Sequence, residues 1–125
     1  MKAYPDNNPK TAFGVKKPSL SKIPPVALLH TAQAMMNGAS KYGAYNWREK
    51  DVTASIYIDA AMRHLMAWFD GEECAEDSGV HHLGHAMASI AILLDAASGG
   101  NLLDDRPLEG ACAETLVNMT MENAK

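Results

Sequence analysis

The spacing of apolar residues predicts three main helices in the middle of the chain. The first follows the pair Pro24-Pro25, which suits a helix start because proline lacks only a donor that would have no partner there. Its apolar positions recur at helical spacing: Leu28, Leu29, Ala32, Met35 and Met36. Gly38 weakens this helix and Gly43 ends it.

The second and third helices follow the same pattern. Thr53 can cap the second helix and Gly71 ends it, with an apolar stripe at Ile58, Ala61, Leu65 and Trp68. Ser78 can cap the third helix, which runs to about Ala97 before Gly99-Gly100. Its apolar positions are Leu83, Ala86, Met87, Ile90, Leu93 and Leu94.

The two ends of the chain are less regular. Residues 1–23 contain three prolines and Gly14, which predicts an irregular arm without a packed element of its own. In the segment 99–125, Leu116, Val117 and Met119 are consistent with a short fourth helix. Since alternation of period two is almost absent, we predict an all-α fold, a small helical bundle with its helical core at 24–98.

Alanine-rich faces on the second and third helices bear on assembly. They are formed by Ala60, Ala61, Ala86, Ala88 and Ala91. Three short helices with such faces would leave apolar surface uncovered, so we predict a homodimer or higher oligomer, such as a tetramer, that packs these faces. The alternative is a monomer closed by the C-terminal segment.

Length and composition indicate one globular domain. The chain has 125 residues, of which 47% are hydrophobic, and it has neither a run of about 20 apolar residues nor a secretory signal. Cys74 and Cys112 are far apart and match no zinc or redox spacing. We therefore predict a cytoplasmic protein with reduced thiols and no membrane partner.

Charge is distributed unevenly along the chain. The first 53 residues hold eight Lys and Arg against three Asp and Glu, whereas the rest hold three against twelve. A solvated surface can show such a difference by accident. It is also what a site for phosphates and a metal ion would need. The chain is acidic overall, which disfavours a nucleic-acid partner.

The acidic half contains a dense cluster of candidate ligands. Four of the five histidines and five of the fifteen carboxylates lie between Arg63 and His85. Antiparallel packing of the second and third helices would let imidazoles and carboxylates share one metal site: His64, His82, His85 and Glu72 or Asp77. Gly84 removes a side chain, so a partner helix or a ligand can come close. The alternative is a structural polar network.

A second candidate site is the loop from Lys41 to Arg48. Lys41 and Arg48 can pair with phosphates, and Tyr42, Tyr45 or Trp47 can stack on a base. Asn46 can recognise a base edge or support the loop. Alternatively, the aromatic side chains fold into the core. The chain has no P-loop, Rossmann fingerprint or nucleophile elbow.

Several motifs together resemble the phage and bacterial dATP/dGTP diphosphohydrolase family, which is MazZ-like. In order they are Asn8-Pro9-Lys10, Lys17-Pro18, Gly38-Ala39, Lys41-Tyr42-Gly43, Asn46-Trp47-Arg48, Arg63-His64-Leu65, Gly71-Glu72, Ser78-Gly79, His82-Leu83, His85-Ala86 and Asp104-Asp105-Arg106-Pro107. They span residues 8–107. The resemblance implies a fold related to the MazG-type nucleotide pyrophosphatases. It implies hydrolysis of purine deoxynucleoside triphosphates to the monophosphate and pyrophosphate, in phage nucleotide-pool remodelling, with Mg²⁺ or Mn²⁺ and with Co²⁺ as a further candidate.

The resemblance also suggests roles for individual residues. Where the MazG pattern has Glu-Glu-x-x-Glu and Glu-x-x-Asp, this chain has Ala60, Ala61 and His64, then His82 and His85. The implied metal ligands are His64, His82, His85, Glu72 and Asp77. Catalytic roles fall to Glu72, Asp77 and His82. The implied substrate contacts are Lys10, Lys17, Lys41, Arg48 and Arg63 for phosphates, and Tyr42, Asn46 and Trp47 for the nucleoside.

Two other functions remain open on the sequence. One is a nucleotide or metal sensor on the same fold that binds without turnover. The other is a phage interaction protein whose helical face binds a partner protein.

Overall fold

A computed structural model describes residues 6–120, and most of this part of the chain is helical. The α-helices are α1 (Pro9–Gly14), α2 (Pro25–Tyr42), α3 (Asn46–Glu49), α4 (Ala54–Phe69), α5 (His82–Gly99) and α6 (Cys112–Met119). A 3₁₀ turn covers Leu20–Lys22, and two-residue strands lie at Val52–Thr53 (β1) and Leu102–Leu103 (β2). The all-α prediction is confirmed. No helix within residues 6–120 combines the length and the apolar character that crossing a membrane requires.

Helix α5 lies at the centre of the fold and packs against both α4 and α2. Its buried positions are mostly small, including Ala86, Ala88 and Ala96. Ala34 on α2 and Ala61 on α4 are buried as well. Alanine faces therefore hold the three helices of one chain together. The helices of one chain bury Ala61, Ala86 and Ala88, whereas Ala60 and Ala91 are partly buried. The predicted homodimer or higher oligomer stays a prediction.

The crossing of α2 over α5 is unusually close at one point. A Cβ atom added to Gly84 would lie 2.5 Å from the carbonyl oxygen of His30 and 2.9 Å from its carbonyl carbon. Real side chains do not approach a backbone so closely, so glycine is required here. The expectation that Gly84 admits a partner helix is confirmed, and that helix is α2.

The start of α4 is tied to the segment that follows α5. Strand β1 pairs in parallel with β2, and Val52 is almost fully buried there. The carboxylate of Asp105 accepts a hydrogen bond from the Ser55 backbone amide at 2.8 Å and another from the Ser55 hydroxyl. Thr53 occupies the predicted cap position, but its side chain makes no capping hydrogen bond. Asp105 does this instead.

The start of α5 differs from the prediction. Its N-cap residue is His81, whose Nδ1 accepts a hydrogen bond from the Leu83 amide at 3.0 Å. Ser78 lies in the preceding loop, where its hydroxyl oxygen accepts a hydrogen bond from the Val80 amide at 3.1 Å. Ser78 lies three residues before the N-cap His81, and the imidazole of His81 satisfies the helix amide.

The N-terminal arm is more regular than predicted. Asn8 caps α1 by accepting a hydrogen bond from the Lys10 amide at 2.9 Å, and Pro9 takes the first helical position. None of the residues of α1 is buried, and the described part of the arm, 6–23, has no packed element, as expected. The Lys41–Arg48 loop likewise contains a short helix, α3, and the predicted fourth helix is α6.

Replacing Gly84 by alanine is expected to destabilise the protein. The added methyl group would press on the His30 backbone and force α2 and α5 apart, at a cost of about 1–3 kcal/mol. Urea unfolding followed by circular dichroism measures this cost. The matched control is Gly38→Ala on α2, where an added Cβ meets no atom within 4 Å. Alanine there should stabilise the helix by about 0.5–1 kcal/mol. Equal stability of the two variants would contradict the close crossing.

Candidate functional site

A cleft of about 250 Å³ lies where α2, α3, α4 and α5 meet. Seven residues singled out from the sequence line it: Lys41, Tyr42, Asn46, Trp47, His64, Asp77 and His85. The same cleft includes Asn37, Tyr57 and Ser89, which the sequence did not single out. Asn37 lies one helical turn before Lys41 on the same face of α2, a spacing that could have identified it. The two candidate regions of the sequence therefore form one site.

Three histidines and a glutamate form a connected cluster at this site. Nδ1 of His64 lies 2.8 Å from Nδ1 of His82, and Nε2 of His82 lies 2.5 Å from the Glu72 carboxylate. The ring of His85 stacks on that of His64, with centroids 4.5 Å apart. His82 is buried, whereas His64 and His85 reach the cleft. The predicted proximity of these side chains is thus found in the structure.

The hydrogen bonds select a protonation pattern. A carboxylate only accepts, so Nε2 of His82 carries the proton that binds Glu72, and in a ring with a single N–H the Nδ1 atom is an acceptor. Nδ1 of His64 must then carry the proton that it shares with His82. Nε2 of His64 keeps a free lone pair. Glu72 therefore sets the proton position on His64 through His82.

Burial lowers the pKa of both histidines that reach the cleft. For His64, desolvation acts first and the neighbouring rings of His85 and His82 add to it, whereas Asp77 opposes the shift. Burial is also the main cause for His85, again opposed by Asp77. Both imidazoles are therefore neutral near pH 7, the form that accepts a proton.

The imidazoles do not converge on a common metal-binding point in this arrangement. Nitrogen atoms of His64 and His82 face each other, and Nε2 of His85 pairs with the Ser78 hydroxyl at 2.7 Å. Across residues 6–120, no three His, Cys, Asp or Glu side chains are placed to hold one ion. A cage of the three imidazoles thus does not fit the structure, and the metal-binding role of His64, His82, His85, Glu72 and Asp77 stays a prediction.

Asp95 holds the aromatic wall of the cleft in place. Its carboxylate accepts hydrogen bonds from the Trp47 indole at 2.7 Å and from the Arg48 guanidinium at 2.8 and 3.0 Å. The bonds to Arg48 and Trp47 lower the pKa of Asp95 to about 2. The Asn101 side chain also donates to the backbone carbonyls of Trp47 and Lys50. Trp47 is thereby fixed as a wall rather than folded into the core.

The predicted phosphate contacts are dispersed. Lys41 lies in the cleft, whereas the guanidinium of Arg48 is paired with Asp95 and stacked over the Tyr45 ring. Lys10 and Lys17 lie in the exposed N-terminal segment, and Arg63 is exposed on α4; none of the three lines the cleft. Lys41 is therefore the cation that the structure brings to the histidines, and the roles of the others stay predictions.

Comparison with known proteins gives two matches. A family model described as dATP/dGTP diphosphohydrolase, N-terminal, matches residues 7–106. A curated relative from Salmonella phage PMBT28, named dATP/dGTP diphosphohydrolase, is 27% identical over 94 residues. That match covers 75% of this chain but 32% of the relative, so the chain spans about a third of the relative's length. No solved structure matches the chain.

Removing the Asp95 carboxylate is expected to release Trp47. The substitution Trp68→Phe leaves Trp47 as the single tryptophan of the chain. In that background, Asp95→Ala should shift tryptophan emission to longer wavelength because the indole becomes exposed to water. Asp59→Ala, which removes an exposed carboxylate from α4, is the control and should leave the emission unchanged. Unchanged emission in Asp95→Ala would contradict the role of Asp95.

Acid is expected to destabilise the protein through His64 and His85. Their pKa is lowered from the ordinary value of 6.5, so the unfolded chain takes up protons before the folded one as the pH falls. The two neutral histidines therefore make their full contribution to the free energy of unfolding above about pH 6.5. That contribution is lost as the pH falls through the lowered pKa values of the folded protein. Urea unfolding at about pH 7.5 and about pH 5.5 measures the difference. The His64→Gln/His85→Gln double variant should show a smaller difference; an equal one would contradict the assignment.

Proposed function

The chain belongs to the dATP/dGTP diphosphohydrolase family, and from this membership and the cleft we propose that it hydrolyses dATP or dGTP to the monophosphate and pyrophosphate. The observation that supports this most is the single cleft that joins a stacking surface to a neutral histidine and a lysine. Action on phage nucleotide pools and a cytoplasmic location belong to the same proposal.

The two sides of the cleft suit the two parts of such a substrate. Helices α2 and α3 supply Tyr42, Asn46 and Trp47, which offer aromatic surface and an amide for a purine nucleoside. Helix α4, the following loop and α5 supply His64, Asp77 and His85. Lys41 adds a positive charge to attract the phosphates. In this assignment the base binds on the α2–α3 side.

In this proposal His64 is the base that activates water. Its Nε2 lone pair accepts a proton as the water oxygen bonds to the α-phosphorus and the bond to the bridging oxygen breaks, which releases pyrophosphate. Glu72 stabilises the resulting imidazolium through the hydrogen-bonded ring of His82. Lys41 offsets the charge on the phosphates. Glu72 and His82 position the base and need not touch the substrate.

A divalent ion remains part of the proposal, as a companion of the substrate. Mg²⁺ is commonly bound by one or two carboxylates together with substrate phosphates, rather than by a cage made of protein alone. Asp77 is the carboxylate that lines the cleft and fits that role. Such an ion would neutralise phosphate charge. This fits the chemistry of the cleft better than an imidazole cage does.

A nucleotide sensor is the second candidate. It is favoured because, within residues 6–120, no three His, Cys, Asp or Glu side chains are placed to hold one ion. A sensor would bind the same nucleotide in the same cleft without turnover. Binding and hydrolysis must therefore be measured separately.

Pyrophosphate release from each deoxynucleoside triphosphate, with Mg²⁺, Mn²⁺ or Co²⁺, tests the proposal. We expect release from dATP or dGTP, and a fall of about 10²–10⁴-fold in kcat for His64→Gln, since the base is lost. Asp59→Asn is the control, because Asp59 is exposed on the same helix and lies outside the cleft. Activity that is unchanged in His64→Gln would contradict the role of this base.

Melting temperatures with the same nucleotides separate the rival functions. Stabilisation by dATP or dGTP without pyrophosphate release would favour the sensor. Absence of both effects would favour the interaction protein.

A further inference from the structure

The loop between α4 and α5 holds Ser78 in a fixed position. The Ala75 amide donates to the Val80 carbonyl oxygen at 2.9 Å, and the Gly79 amide donates to the Ala75 carbonyl oxygen at 2.8 Å. Ala75 and Val80 are both buried, which anchors the two ends of this turn. Gly79 has a φ of 74°, a left-handed conformation that favours glycine. The backbone on both sides of Ser78 is therefore tightly constrained.

The Ser78 hydroxyl takes part in two hydrogen bonds. Its oxygen accepts one from the Val80 amide at 3.1 Å and lies 2.7 Å from Nε2 of His85. Within residues 6–120 the hydroxyl proton has no other acceptor, so it is directed at Nε2. The hydrogen bond at one ring nitrogen of a histidine determines which nitrogen carries the proton. In a neutral His85 ring, the single N–H is therefore at Nδ1.

Nδ1–H of His85 is a hydrogen-bond donor that no described residue uses. Within residues 6–120 this atom has no partner, and it is not buried, because the one buried side-chain nitrogen or oxygen without a partner there is Nδ1 of His30. The His85 side chain lines the cleft. The donor does not depend on the charge of the ring, since a protonated imidazole carries N–H on both nitrogens.

His64 and His85 thus offer opposite chemistry to the cleft. Nε2 of His64 is an acceptor, whereas Nδ1 of His85 is a donor. The two rings are stacked, with an angle of 17° between their planes and centroids 4.5 Å apart. An ionised phosphate oxygen only accepts hydrogen bonds. It can therefore bind Nδ1–H of His85, but it cannot bind the lone pair of His64.

We propose that His85 donates a hydrogen bond from Nδ1 to a phosphate oxygen of the nucleotide, and that Ser78 is the positioning residue that maintains this tautomer. The phosphate contact rests on the proposed function, whereas the tautomer does not. A donor that is fixed before the reaction is most effective where negative charge develops, which here is on the α-phosphate as water attacks. A metal ligand must be a deprotonated nitrogen. In this proposal His85 therefore binds substrate and does not bind the ion.

A serine beside a histidine is also the arrangement of a nucleophile and its base. The position of Ser78 argues against that role. The described residues that line the cleft include its neighbour Asp77 and His85, but not Ser78. The Ser78 oxygen is also held by the Val80 amide. The function of this hydroxyl is therefore to orient the imidazole.

Nitrogen-15 NMR of the full chain tests the tautomer without any nucleotide. Imidazole nitrogens with and without a proton give well-separated signals, and His85→Leu identifies those of His85. At about pH 7.5, above the ordinary pKa of histidine, we expect the proton on Nδ1 in the wild-type protein and a mixture of tautomers in Ser78→Ala. Ser78→Thr keeps the hydroxyl and should retain the wild-type signals. A proton on Nε2 in the wild type, loss of the Nδ1 proton on adding Mg²⁺, or unchanged signals in Ser78→Ala would overturn the proposal.

Steady-state kinetics of pyrophosphate release tests the phosphate contact. A donor that acts mainly in the transition state affects kcat more than KM. We expect kcat to fall by about 10²–10³-fold in His85→Leu and by about 10–100-fold in Ser78→Ala, with recovery in Ser78→Thr. Ser40→Ala is the control, because Ser40 is exposed on α2 outside the cleft. An unchanged kcat in Ser78→Ala, or a nucleotide covalently bound to Ser78 in mass spectra, would overturn the proposal.

Inorganic pyrophosphate separates failure of this proposal from failure of the proposed hydrolysis. Its addition should shift the Nδ1 signal of His85 whether or not the protein hydrolyses nucleotides. A wild-type protein that shows this shift but releases no pyrophosphate would contradict the hydrolase and support the contact. An unchanged Nδ1 signal would overturn the contact.

Discussion

The close crossing of α2 over α5 is the constraint on which the remaining structure depends. Gly84 lies against the backbone of His30, and Ala88 one turn later packs with Ala34 of α2, so the two helices approach closely. This spacing sets the width of the cleft, since Lys41 comes from α2 and His85 from α5. The same small residues that bring the helices together leave little apolar volume between them. The same small residues therefore explain both the close crossing of the helices and the small apolar volume of the core.

The histidine cluster depends on the place where α5 begins. His81 caps the helix, which puts His82 towards Glu72 and His64, and His85 one turn later beside Ser78. A start at Ser78 would have rotated these side chains relative to α4. The hydrogen-bond arrangement that leaves Nε2 of His64 free therefore depends on where helix α5 is capped, as well as on the presence of the histidines.

Local patterns predicted the helices well, and long-range contacts accounted for the differences. Proline at the start of α2 and glycine after it defined that helix from sequence alone, and helical spacing placed His64 near His82. Asp95 and Asp105 could not have been assigned from sequence, because each acts on residues 47 or more positions away. The alanine faces were correctly identified as packing surfaces. Periodicity marks a buried face without saying which helix covers it, so the packing of these faces within one chain had to come from the structure.

The contact between Asp105 and Ser55 has a consequence for how the chain folds during synthesis. The two residues are 50 positions apart, and β1 pairs with β2 across a similar distance. The first turn of α4 therefore has no cap when it leaves the ribosome, and it waits until the chain has been made through α5 and beyond. Until then the nascent α4 would fray at its start.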